Sequence, residues 1–64
     1  MNPIYVELTE NEFLNLADVR RIWLKNDAIN WVYISEPGEV KEVKYSTLKE
    51  AKEIMFKIRL RLLL

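Results

Sequence analysis

The hydrophobic period of this chain changes once, at Ser46, and that change limits its fold more than any other feature. Up to that point apolar residues alternate with polar ones, or form short runs bounded by turn residues. Beyond it they return every three or four positions, at Leu48, Ala51, Ile54, Met55, Ile58 and Leu62. Alternation sends successive side chains to opposite faces of a strand, whereas a three-four spacing gathers them on one stripe of a helix. The pattern predicts an α+β domain: a small antiparallel sheet of three to five strands packed on one C-terminal amphipathic helix. Residues 1–64 are expected to form a single domain, with strands over 1–46 and the helix over 47–63.

The strand region divides at its turn residues. Ile4 to Leu8 alternates with Ile4, Val6 and Leu8 inward, and Thr9-Glu10-Asn11-Glu12 reads as a turn. Phe13 to Leu16 is the expected returning arm of a hairpin. Val19 to Lys25 puts Ile22 and Leu24 on one face and Arg21 and Trp23 on the other. Asn26-Asp27 is turn chemistry, because both side chains bond to nearby backbone. Ala28 to Ser35 is apolar on both faces and predicts a central strand. Glu36-Pro37-Gly38-Glu39 suits a type II turn, with glycine at the positive φ. Val40 to Tyr45, interleaved with Lys and Glu, fits an edge strand.

The helix carries its own start signal. Thr47-Leu48-Lys49-Glu50 matches a capping box, in which the Thr47 hydroxyl and the Glu50 carboxylate exchange bonds with free backbone amides. Glu50 and Glu53 come early, Lys57, Arg59 and Arg61 late, as the helix dipole favours.

Composition removes most catalytic chemistry. With no Cys and no His among 64 residues, the chain has no disulfide, no Cys/His zinc site, no thiol nucleophile and no imidazole base. Its one glycine cannot build a phosphate-cradling loop. Glu10/Glu12 and Glu36/Glu39 read as solvated turn carboxylates. The expectation is a non-enzymatic protein without cofactor or metal. No basic stretch leading into an apolar run marks a secretory signal, so the cytoplasm is the expected location.

What remains is surface. At roughly 100° per residue, Phe56, Leu60 and Leu63 fall on the side of the helix opposite its core stripe, and Leu64 adds to them. A single helix on a small sheet cannot bury two opposite stripes, so the second is expected to meet a protein partner, a homodimer mate or a larger protein. A domain this small, without disulfide or metal, also gains most from such a partner. Trp23, Trp31 and Tyr33 on the open sheet face form the second candidate surface, since aromatics make favoured interface anchors. The alternative is a single-stranded nucleic-acid platform built from Arg20, Arg21, Trp23, Lys25, Trp31 and Tyr33, with rings stacking bases and cations meeting phosphate. Charge argues against it. Residues 1–46 carry five basic against eight acidic side chains, and the helix five against two.

The segment Phe13-Leu14-Asn15-Leu16-Ala17-Asp18-Val19-Arg20-Arg21-Ile22 resembles a pattern of small bacterial proteins of the flagellar swarming-motility type and of similar short phage-borne proteins. In these a short strand ends in Asn, a helical kink follows, and Val or Ile opens the next strand. The tail is similar too: a strand, Ser46-Thr47, then one amphipathic helix. This chain departs from the pattern at Glu36-Pro37-Gly38-Glu39, where Asn-Gly or Asp-Gly is usual, and in its leucine-rich helix end. The resemblance implies a non-catalytic accessory protein and carries over no binding residue.

Overall fold

The structure is a computed structural model that describes residues 4–63. Among these residues five strands precede one α-helix: β1 (Tyr5–Thr9), β2 (Glu12–Asn15), β3 (Val19–Lys25), β4 (Ala28–Tyr33), β5 (Val40–Lys44) and α1 (Leu48–Leu63). All pairings are antiparallel, but the strands form two sheets, β1-β2 and β3-β4-β5, packed against the helix. The break between them is the 3₁₀ turn Leu16–Asp18. Asn15 caps it by accepting from the Ala17 N–H at 3.2 Å, the local bond that makes Asn a turn opener.

The β3–β4 connection has two residues, so Lys25 faces Ala28 and every later pair follows, Trp23 against Asn30 and Ile22 against Trp31. Asn26 takes φ 55°, a value Asn tolerates better than most residues. The Pro37-Gly38 turn closes with the Glu39 N–H on the Glu36 carbonyl at 3.1 Å. Gly38 has no positive φ, so the expected type II geometry is replaced by one that any residue could adopt. β5 is an edge strand and β4 the central one, as the sequence predicts.

Leu8, Leu14 and Leu16 from the hairpin meet Ile29, Trp31, Val43 and Tyr45 from the larger sheet over Ala51, Met55 and Ile58 of α1. The helix thus fills the joint between two sheets, and Ala51 and Ile58 are wholly buried there. Thr47 caps it, its hydroxyl accepting from the Glu50 N–H at 3.2 Å. The reciprocal half of the capping box is replaced: the Glu50 carboxylate accepts from the Ser46 hydroxyl at 2.7 Å. The buried stripe is shorter than its period predicts. Leu48 and Leu62 are exposed, because the sixteen-residue helix overruns the small sheets at both ends. Ile4, expected inward, is also exposed beyond the end of β1.

Candidate functional site

Phe56, Leu60 and Leu63 share the outer side of α1 and remain 62, 46 and 83% exposed. Helical geometry sets them there, since Ala51, Met55 and Ile58 take the opposite side into the core. Leu48 and Phe56 line a shallow trough bordered by Lys49, Lys52, Glu53 and Lys57. Long basic side chains therefore frame an apolar strip along the helix. Leu60, one turn beyond Phe56, lines a groove between α1 and β1. Leu64 lies outside the described residues.

The sheet aromatics do not form one surface. Trp31 lies on the face that α1 and the hairpin cover and is 3% exposed. Tyr33, two residues on, meets its ring edge-to-face at a centroid distance of 6.2 Å. The Tyr33 hydroxyl accepts from the Asn15 N–H at 3.4 Å, tying the larger sheet to the hairpin. Only Trp23 stands on the open face, half-buried, with the Arg21 guanidinium 4.8 Å from its ring centre. The expected grouping of Trp23 with Trp31 and Tyr33 is thus corrected. A signal for this was present: a two-residue Asn26-Asp27 loop pairs Trp23 with Asn30, which sends Trp31 to the other face.

Arg20 and Lys25 are exposed on β3, and Lys25 shares the open face with Trp23 and Arg21. Beneath them Asn30 is 5% exposed, and its Nδ2 finds no hydrogen-bond partner among the described residues; nor does the indole nitrogen of Trp31. Glu36 and Glu39 lie at the surface beside Lys41, at 3.8 and 3.0 Å. The bond from Lys41 holds the Glu39 carboxyl below its usual range. Among the described residues no three acidic side chains gather closely enough to hold a metal ion. Among the described residues no helix is long and apolar enough to cross a membrane.

The most perturbed side chain is structural. Tyr45 is buried, and its hydroxyl donates to the Leu8 carbonyl at 2.8 Å. Burial, and after it the nearby Glu12 and Glu50 carboxylates, push its phenol up from 10.0 to about 12. No family model, curated protein or solved structure matches this chain.

Proposed function

We propose that this chain is a non-catalytic interaction module that docks onto a protein partner through the outer side of α1. One observation carries the reading: Phe56, Leu60 and Leu63 stay exposed on a helix whose opposite side is already consumed by the core. Contiguous apolar residues rimmed by charge are characteristic of docking surfaces, since leaving them in water forgoes their burial energy. A role as an accessory protein, which the resemblance to swarming-motility-type proteins implies, accords with dependence on a partner. The nucleic-acid reading keeps Arg20, Arg21, Lys25 and one ring, Trp23, because Trp31 and Tyr33 face the core.

A photo-crosslinking residue at position 56 tests the docking reading. It is expected to give a covalent adduct with a protein partner in the host cell, whereas the same group at Glu42, on the far sheet face, gives none. Equal labelling from both positions, or none from position 56, would refute it.

A further inference from the structure

The docking strip on α1 also carries a charge pattern that selects its occupant. Along the outer side of the helix, Lys49, Glu53, Phe56, Leu60 and Leu63 follow at steps of four, three, four and three. That is the a/d spacing of a helix seam, with Glu53 and Leu60 at a, and Lys49, Phe56 and Leu63 at d. Lys52 and Arg59 then occupy the g flank, and Glu50 and Lys57 the e flank. Each of these side chains is exposed. The backbone of α1 is bonded within the helix, so it offers an extended peptide no ladder of free N–H and C=O groups. Side chains spaced three and four apart instead receive those of another helix. The seam runs about 21 Å from Lys49 to Leu63, with its apolar part towards the C-terminal end.

Charge separates the helices that could lie there. The g flank is basic throughout, and Lys52, Phe56 and Arg59 line a furrow with Leu24 and Met55 that contains no carboxylate. On the e flank the Glu50 carboxylate already accepts from the Ser46 hydroxyl. Lys57 shares the groove towards β1 with Glu7 and Glu10 of the same chain, so that flank is partly compensated. Among the described residues, none of Lys49, Lys52, Lys57 and Arg59 makes an ion pair. The side of Lys52 and Arg59 is therefore the one that lacks carboxylates.

A second copy of this chain would meet its own charges. In a parallel pair Glu53 faces Glu53 and Lys52 faces Lys57. In an antiparallel pair centred on Phe56 and Leu60, Arg59 faces Arg59 and Lys57 faces Lys57. Sliding that pair by one heptad brings Glu50 to Lys57, but it sets Lys52 against Arg59 and buries Lys49 and Glu53 against Leu60 and Phe56. Like charges across the flanks of a seam set partner choice. An anionic membrane is disfavoured by Glu53, which lines the same trough as Phe56 where a lipid-facing helix would be apolar.

We propose that the occupant of the strip is an amphipathic helix of another protein, apolar along its own seam and acidic on the flank that meets Lys52 and Arg59. The inference rests on the docking site proposed above and names the class of its partner. Phe56, Leu60 and Leu63 interleave with the apolar seam of that helix, while its Asp or Glu side chains pair with Lys52 and Arg59.

Two synthetic three-heptad peptides with Leu at every a and d position test the class, one with Glu and the other with Lys at every e and g position. Fluorescence anisotropy against the full chain is expected to show the Glu peptide binding at least roughly tenfold more tightly than the Lys peptide. The gap should narrow as salt rises. Lys52→Glu combined with Arg59→Glu should reverse the order. Phe56→Glu combined with Leu63→Lys should abolish binding of both peptides. All four positions are exposed, and circular dichroism should match the unchanged chain in both variants. Equal affinity for the two peptides, no binding of either, or an order unmoved by the charge reversal would overturn the proposal. So would self-association through the strip, seen in sedimentation as a mass above 7.7 kDa that returns to 7.7 kDa in the Phe56→Glu, Leu63→Lys variant. Binding to vesicles of phosphatidylserine and phosphatidylcholine in place of the Glu peptide would assign the strip to a membrane and overturn it as well. The photo-crosslink at position 56 tells the two readings apart. An adduct mapped to a segment that is not an acidic helix removes this inference and leaves the docking site, whereas no adduct removes both.

Discussion

Trp23 and Trp31 occupy opposite faces of the same sheet, and their substitution should separate core from surface. Trp31→Ala is expected to cost about 3–5 kcal/mol, as buried aromatic truncations do, and to unfold a domain of this size. Trp31→Phe should recover most of that loss, because it keeps a ring and removes an indole N–H that finds no acceptor among the described residues. Trp23→Ser should cost well under half as much in the same denaturant titrations. Sequence alternation assigned the faces of β3 correctly, since Arg21 and Lys25 are polar markers there. It failed on β4 because both sides of that strand are apolar, and only the hairpin register distinguishes them. Tyr45 supplies a pH test. The folded chain holds its phenolic proton more tightly than the unfolded chain, so its contribution is whole below about pH 10 and is lost as pH rises towards 12. Between those values the melting temperature of Tyr45→Phe should fall less than that of the unchanged protein. At neutral pH the variant should be weaker by about 0.5–1.5 kcal/mol for the lost bond to Leu8.

At the level of elements, the turns and caps respond differently from their sequence signatures. Gly38→Ala meets nothing within 4 Å and needs no positive φ. It should therefore be neutral or stabilising by about 0.4–1 kcal/mol through the unfolded state. Asn26→Ala should destabilise, and Asn26→Gly should not, because φ 55° is required there. Chemical denaturation of the three variants checks the contrast. Thr47→Ala should cost about 0.5–2 kcal/mol, read from the loss of helical ellipticity at 222 nm on titration. The strands, the helix start and the outer strip of α1 were all legible, since each rests on local period or capping chemistry. The division into two sheets was not, because it depends on the 3₁₀ turn at Leu16–Asp18 interrupting the ladder. The exposure of Leu62 was equally hidden, since period reports which stripe a residue joins but not where the opposing sheet ends.

For the whole molecule, the apolar strip left in water on α1 bears on how stability responds to concentration. If the strip engages a second copy, the melting temperature rises with protein concentration, by mass action on the folded state. Calorimetry across a hundredfold dilution reads this rise in the unchanged chain. It should vanish when Phe56→Glu is combined with Leu63→Lys. A melting temperature independent of concentration in the unchanged chain would limit the strip to partners of other sequence.

The helix that joins the two sheets is made after every strand that it covers. A ribosome delivers all five strands before Ala51, Met55 and Ile58 exist to cover them. Until then the N-terminal hairpin is held to the larger sheet by the Asn15–Tyr33 bond, by the Tyr45–Leu8 bond across thirty-seven residues, and by Leu8, Leu14 and Leu16 packing on that sheet. The nascent protein is thus a hairpin and a three-stranded sheet whose packing is completed in one late step. Folding should therefore depend on how fast the sixteen-residue helix closes over them, in competition with strand pairing between neighbouring nascent chains.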